Sequence, residues 1–332
     1  MKVLVIGKGI LGSSIYHLLK ERGHEVSVVE SGFRKFPPTL IHSLLLVGKD
    51  VELSILSKEF YVKHNIPLKS FTSYTLGKVS NEVVNKWLSL GLNVEEKYVE
   101  WLRDKAIIGY GTDSLVQIRK LIDSVPKISG NVSVEVNDNK LRVTLDNNDV
   151  TSRYDIFILT AGAWNTLSIN GLRLPLKSYY CWSWLTLNRN SLLDKVFIYD
   201  YELGYYSRPF MGIGLPLSIV GDGDVIECSP FDKKIGDKKA VEKAESRVGK
   251  LFPIYRGEGY CEGTPDMRPI YGEITERLYF AGGLDGYGAE IGPGIANLLV
   301  KYILEGEKDS DYYWRRFNGV TDFKIGKEPH EL

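Results

Sequence analysis

Val3-Leu4-Val5-Ile6 is an unbroken apolar run, as expected of a parallel strand covered on both faces. Ile15, Leu18 and Leu19 then recur at helical spacing until Gly23. Val26 to Glu30 is a second strand that ends in an acid. Phe33 to Ser43 has two prolines and no period and is expected to be a loop. Asp50 to His64, with Val51, Ile55, Phe60 and Val62, predicts a helix, Phe71 to Val79 a strand, and Asn81 to Leu90 a helix ending at Gly91. Thr112-Asp113-Ser114 reads as the start of another helix, with Leu115, Ile118, Leu121 and Ile122 as its apolar side. Two short strands follow, Val132 to Val136 and Leu141 to Leu145, joined by the turn-like Asn137-Asp138-Asn139. Lys177 to Val220 is strand-rich and aromatic, and Lys238 to Leu251 predicts a helix burying Val241, Ala244, Val248 and Leu251.

Between the first strand and the first helix lies Gly7-Lys8-Gly9-Ile10-Leu11-Gly12. Gly7 permits the tight turn, Gly9 lets a pyrophosphate approach the backbone, and Gly12 lets helix and strand pack closely. The phosphates then meet a helix N-terminus, where N–H groups and the dipole favour anions. Glu30 lies where a ribose would be held, and its charge disfavours a 2′-phosphate. A dinucleotide site is therefore expected, with NAD and FAD both open at this point.

Tyr154 to Leu159 runs as a buried strand into Thr160-Ala161-Gly162-Ala163-Trp164, where small residues let a ligand come close. Tyr179, Tyr180, Trp182, Trp184, Tyr199, Tyr201, Tyr205 and Tyr206 either wall a cavity or form cross-strand pairs in a core. Near the C-terminus, Thr264-Pro265-Asp266-Met267-Arg268-Pro269-Ile270 precedes the strand Leu278 to Gly283 and a helix from about Gly292 to Leu304. Six glycines fall between Gly282 and Gly294. So much glycine is costly to order and calls for a purpose. Stabilising the charge of a reduced flavin is one, and packing a turn against the first helix is another.

The 42 Lys+Arg balance the 42 Asp+Glu, so no global field favours nucleic acid or an acidic membrane. Cys181, Cys228 and Cys261 are odd in number and have no CxxC pair, which argues against a disulfide framework and fits a reducing, cytoplasmic location. No signal-peptide pattern, membrane-spanning run or metal site is expected.

Gly7 to Glu30, Thr160 to Trp164 and Gly263 to Glu290 together resemble the D-amino acid oxidase/sarcosine oxidase family of FAD-dependent oxidoreductases, which includes glycine oxidase and bacterial proline dehydrogenase subunits. The resemblance rests on the N-terminal glycine motif with its terminal acid, on Ala161-Gly162-Ala163-Trp164, and on Thr264-Pro265-Asp266-Met267-Arg268-Pro269-Ile270-Tyr271-Gly272 with the following glycine-rich loop. It implies an α/β fold: a Rossmann-like FAD-binding domain (1–74, 110–170, 258–332) interleaved with an antiparallel-sheet α+β substrate domain (75–109, 171–257). It implies FAD held by Gly7, Gly9, Ile10, Leu11, Gly12, Glu30, Ser31, Arg34, Lys35, His42, Ser43, Leu44, Val134, Ala161, Gly162, Trp164 and Arg268, with Gly283, Leu284, Asp285, Gly286, Tyr287, Gly288, Ala289 and Glu290 along the isoalloxazine. His42 is also a candidate for covalent flavin attachment, with hydrogen bonding or packing the simpler role.

Two departures bear on the substrate. Relatives place an arginine before the T-P-D motif or a lysine in the flavin loop to pair with a substrate carboxylate; Cys261 and Glu290 stand at those places here. Either Arg208, Lys177 or Arg268 serves instead, or Glu262, Asp285 and Glu290 favour a cationic amine. His42, Arg208 and Glu290 are the catalytic candidates. The implied reaction dehydrogenates a C–N bond of an amino acid or amine, with electrons passed to oxygen, a quinone or a protein acceptor. The alternatives are a flavin-dependent 2-hydroxy acid or alcohol dehydrogenase and an FAD-carrying subunit of a larger complex, and assembly into an oligomer is open.

Overall fold

The computed structural model describes residues 1–32, 39–138, 140–189, 192–210, 215–320 and 322–326. The chain opens with β1 (Lys2–Ile6), α1 (Ile10–Glu21) and β2 (Glu25–Glu30), continuing to β3 (Leu40–Ile41), α2 (Gly48–Lys63), β4 (Leu68–Leu76), α3 (Asn81–Ser89), β5 (Val94–Val99) and β6 (Asp104–Val116). Then come α4 (Ile118–Asp123), β7 (Ile128–Ser129), β8 (Val132–Asn137), β9 (Lys140–Leu145), β10 (Asn148–Asp149), β11 (Ile156–Leu159), α5 (Asn165–Ser168) and β12 (Ile169–Asn170). The long middle strands are β13 (Lys177–Asn188), β14 (Val196–Asp200), β15 (Tyr205–Pro209), β16 (Leu217–Gly221) and β17 (Val225–Glu227). The chain closes with α6 (Lys239–Val248), β18 (Leu251–Gly263), β19 (Ile270–Thr275), β20 (Leu278–Gly282) and α7 (Gly288–Glu305).

A six-stranded sheet runs β19-β20-β11-β1-β2-β7, parallel except for β19. Side chains alternate across β1: Val3 and Val5 join the core under α1, α2 and α7, whereas Leu4 and Ile6 join the core shared with the four-stranded sheet β10-β9-β8-β12. Covering both faces explains why β1 is apolar from Val3 to Ile6. The chain leaves β1 toward β2 on one side and has β11 on the other, so the strand order reverses between β1 and β11.

The ten-stranded sheet follows β17-β13-β16-β15-β14-β4-β6-β3, with β18 beside β13 and β5 beside β6. Its pairs are antiparallel except β14 with β4. α6 covers one face with Ala240, Val241 and Ala244. Where α1 meets α2, His17, Phe60 and His64 pack ring to ring.

Several sequence expectations change: Leu40–Ile41, within the expected loop, is strand β3, and Leu251, expected to close a helix, opens β18. Thr112-Asp113-Ser114 does not start a helix: it is the end of β6, paired with Ser70 and Phe71 of β4 and Ile41 of β3. Pairing with strands on both sides outweighs a local cap-like signal, and the helix starts at Ile118. In α2 Val62 faces outward, 66% exposed, so the buried stripe passes through Val51, Leu53, Phe60 and Tyr61 instead.

Candidate active site

Gly7 leaves β1 at the point where the strand order reverses. Its φ is +110°, and a Cβ there would stand 2.4 Å from the Thr160 carbonyl oxygen at the end of β11. The Thr160 hydroxyl donates to the Gly7 carbonyl at 3.0 Å. A Cβ on Gly12 would stand 1.9 Å from that same carbonyl, so both positions exclude any side chain. Gly9 differs: a Cβ on it would meet nothing within 4 Å, so the turn is open on that side. α1 begins there, its first-turn N–H groups lack helical partners, and no acid stands in that turn. A tight, open-sided glycine turn before an acid-free helix N-terminus fits a pyrophosphate. Ile10 and Leu11 are buried in that turn. Glu30 ends β2 and takes the Lys127 ammonium at 2.7 Å, with Ser31 exposed beside it. Arg34 and Lys35 lie outside the described residues.

The glycines of the C-terminal segment divide by cause. Gly288 and Gly292 lie in α7 against Ile10 of α1, and Gly294 lies against the backbone of Leu53 in α2. These serve helix packing, and they bring the N-terminus of α7 to that of α1. Gly283 and Gly286 have positive φ, as does Asp285 between them at +49°. Two acids hold this loop. The Glu262 carboxylate accepts both the Asn165 amide (2.8 and 3.0 Å) and the Gly283 N–H (3.1 Å). Asn165 in turn accepts the Ala161 N–H at 2.6 Å, so the 161–164 and 283–287 segments share one network. The Tyr179 hydroxyl donates to Asp285 at 2.5 Å.

The third group is centred on His42, buried after β3 with Ser43 and Leu44. Its N–H donates to Glu290 at 2.8 Å, and its Nδ1 lies 2.7 Å from Asp113. A carboxylate only accepts, so Nδ1 carries the proton toward Asp113, and in the neutral tautomer Nε2 is the acceptor. Nε2 is buried and meets no partner among the described residues. Tyr199 stacks on the imidazole at 3.5 Å between centroids, and Tyr206 stacks on Tyr199 at 6.5 Å. Burial pushes the Tyr199 phenol well above its ordinary pKa, reinforced by Asp113 and Glu290. Arg208 is two residues after Tyr206 on β15 and so shares its face. Burial lowers its pKa, against the pull of Tyr206 and Tyr199. Lys58 of α2 donates to the Thr112 carbonyl behind this group. Burial lowers its pKa too, opposed by Asp113 and Glu290.

The candidate cations separate on these contacts. Lys177 is bound to Glu227 and Asp322. Arg268 is bound to Asp50 at 2.7 Å and to the Tyr312 hydroxyl. Arg208 donates only to the Pro209 carbonyl at 3.5 Å, and among the described residues no carboxylate lies within ion-pair distance. Glu262, Asp285 and Glu290 are each bonded within the protein, as given above. Ala161, Gly162 and Trp164 lie just beyond β11, and Leu284, Tyr287 and Ala289 just before and within the first turn of α7. Val134 is fully buried in β8, in the core with Leu4 and Ile6.

Asp113, Asn165 and Lys58 join this group without standing out as site residues in the sequence, and Tyr199, one of the aromatics that could wall a cavity, stacks on His42. Their partners are 71 residues away for Asp113 and 97 for Asn165, beyond the reach of any local pattern.

The sequence matches the family described as FAD dependent oxidoreductase over residues 128–302. No curated protein matches the chain. Among solved structures, L-proline dehydrogenase from P. horikoshii superposes with a TM-score of 0.78 at 19% identity, covering 97% of this chain and 99% of that one. Glycine oxidase from Geobacillus kaustophilus gives 0.72 at 16% identity over 97% and 99%. Iminodiacetate oxidase from Chelativorans sp. gives 0.70 at 19% over 93% and 96%. At these identities the likeness is one of fold.

Proposed function

The chain belongs to the family of FAD-dependent oxidoreductases, and we propose that it binds FAD and dehydrogenates the C–N bond of an amino acid or a related amine carrying a carboxylate. One observation carries the reading. The N-termini of α1 and α7 meet at Ile10, Gly288 and Gly292, at the reversal point of a parallel sheet, beside a buried cluster with an arginine that lacks a carboxylate partner among the described residues.

In this reading Gly7, Gly9, Ile10, Leu11 and Gly12 hold the pyrophosphate, Glu30 and Ser31 the ribose, and the 161–164 and 283–290 segments the ring system, with His42, Ser43 and Leu44 beside it. FAD supplies the hydride acceptor for the carbon that bears nitrogen. The chain supplies orientation and a dry site. Arg208 pairs with the substrate carboxylate in bidentate fashion, replacing the clamps absent at Cys261 and Glu290. Tyr199 and Tyr206 wall the cavity and exclude water. Asp113 holds the His42 proton on Nδ1, so Nε2 can accept a proton from the substrate's nitrogen. Glu262 and Asn165 fix the loop that carries Gly283, as the 2.8 to 3.1 Å contacts indicate. The proposed split is a cofactor domain (1–74, 110–170, 258–332) and a substrate domain (75–109, 171–257); the ten-stranded sheet crosses its limits, since β4, β6 and β18 run through 74, 110 and 258 and β3 lies within 1–74.

A second reading rests on the same Nε2. A buried acceptor nitrogen also suits removal of a hydroxyl proton, which a 2-hydroxy acid dehydrogenase requires. The test is the visible spectrum of the purified protein, anaerobically, with amino acids, N-methyl amino acids, polyamines and hydroxy acids added in turn. Bleaching of flavin bands by an amino acid supports the first reading, and bleaching by a hydroxy acid alone supports the second. No flavin bands after incubation with FAD refutes both.

A further inference from the structure

β13 and β18 are the most extensively paired strands of the ten-stranded sheet, and each carries a cysteine. The register sets Tyr179 opposite Cys261 and Cys181 opposite Gly259, so the cysteines are diagonal neighbours on one face. A Cβ on Gly259 would meet nothing within 4 Å, so nothing at that position holds the two thiols apart. Their sulfurs lie 3.5 Å apart, and the Cys181 thiol donates to the Gly259 carbonyl at 3.6 Å. Both residues are partly exposed, within reach of a small oxidant. Cys228 follows β17, and burial raises its thiol pKa, keeping it in the less reactive protonated form.

We propose that Cys181 and Cys261 form an oxidation site, converted by hydrogen peroxide into a reversible disulfide that joins β13 to β18. One thiolate attacks a peroxide oxygen, the O–O bond breaks, and hydroxide leaves, giving a sulfenic acid. The neighbouring thiolate attacks that sulfur, the S–O bond breaks, and a second hydroxide leaves as the S–S bond forms. Two electrons pass from the sulfur pair to peroxide, and the two thiol protons end on the two waters produced. The sulfurs already touch at 3.5 Å, so a small local adjustment of the two strands and side chains brings them to bonding range.

The position gives the bond a consequence. On β13, Tyr179 holds Asp285; on β18, Glu262 holds Gly283 through its side chain and the Asp285 N–H through its carbonyl at 3.1 Å. Cys261 is opposite Tyr179 and next to Glu262, and Cys181 lies two residues farther along β13, so the two thiols sit beside the anchors of the 283–287 loop. Joining them fixes those anchors to each other. The site stands on its own geometry and does not depend on the proposed substrate.

The experiment uses the full-length protein with its cofactor, treated with a slight excess of hydrogen peroxide, then alkylated under denaturing conditions and mapped by mass spectrometry. The expected result is a linked peptide pair joining Cys181 to Cys261, with titratable thiols falling from three per chain to one. Dithiothreitol restores all three. Cys181→Ser and Cys261→Ser each remove the link and leave a sulfenic acid that dimedone traps on the remaining cysteine. Peroxide that drives both residues to sulfinic acids without a linked pair overturns the proposal, and so does a disulfide that uses Cys228. The wild-type peptide map decides the matter even if a serine variant fails to fold.

Discussion

Arg268 offers a sharp test, because the sequence marks it as a cofactor or substrate residue and the structure gives it a buried partner. Its guanidinium meets Asp50 at 2.7 Å through Nη2 and at 3.3 Å through Nε, and Asp50 is fully buried. The Tyr312 hydroxyl donates to the same carboxylate at 2.5 Å and accepts from Arg268 at 3.1 Å. Arg268→Met keeps the packing volume and removes the guanidinium from the Asp50 carboxylate. At an effective dielectric constant of about 20, unit charges about 3 Å apart attract by about 5 kcal/mol. Loss of one partner of such a buried pair costs about 3–5 kcal/mol. Adding Asp50→Asn removes the buried charge while keeping an acceptor for Tyr312. The double variant is then expected within about 2 kcal/mol of wild type. Urea unfolding followed by tryptophan fluorescence measures both, at two FAD concentrations so that cofactor linkage separates from intrinsic stability. A single variant that loses less than about 1 kcal/mol, or a double variant no better than the single, refutes the reasoning.

Gly12→Ala places a Cβ 1.9 Å from the Gly7 carbonyl, and the purified variant is expected to carry far less flavin, read as the ratio of visible to ultraviolet absorbance. Arg208→Gln removes one charged hydrogen-bonding group worth about 1.5–3 kcal/mol, so KM for a carboxylate substrate should rise about 10- to 100-fold with a smaller change in kcat; an unchanged KM excludes Arg208 as the clamp. Burial lowers the pKa of both His17 and His64 below the ordinary 6.5, with the His64 charge acting further on His17 and Glu21 opposing. Neutral rings are therefore the folded form. Full stability holds above pH 6.5 and falls below it, as the unfolded chain takes up protons first. The melting temperature should drop between about pH 7 and about pH 5 in wild type and drop less in a His17→Gln/His64→Gln variant; equal slopes would count against burial as the cause.

What the sequence made legible was local or sterically forced. Gly7 and Gly12 are required by carbonyl oxygens a few residues or one strand away, and the strand–turn–helix around them is continuous in the chain. The alternation in β1 and the apolar residues of α1 follow from the layers that cover them. Non-local pairing was not legible. Thr112-Asp113-Ser114 carries the side chains of a helix cap, yet strand partners on both sides make it β6, and Asp113 becomes the partner of His42. Glu262 resembles a free acid in the sequence, whereas Asn165 and the Gly283 N–H occupy it in the fold. In the glycine-rich segment packing accounts for Gly288, Gly292 and Gly294, which serve helix contact, while Gly283 and Gly286 shape the loop through their positive φ.

The order of strands in the parallel sheet also bears on how the protein is made. β1 emerges from the ribosome well before its neighbour β11, which begins at Ile156, and β20, which covers the far side of β11, begins at Leu278. Likewise β4 waits for β14, whose first pair sets Val196 against Thr72. A nascent chain therefore carries apolar strands with open edges through most of its synthesis. A chain halted before Leu278 leaves β11 with an unpaired edge, so premature termination yields an aggregation-prone product instead of a smaller folded one.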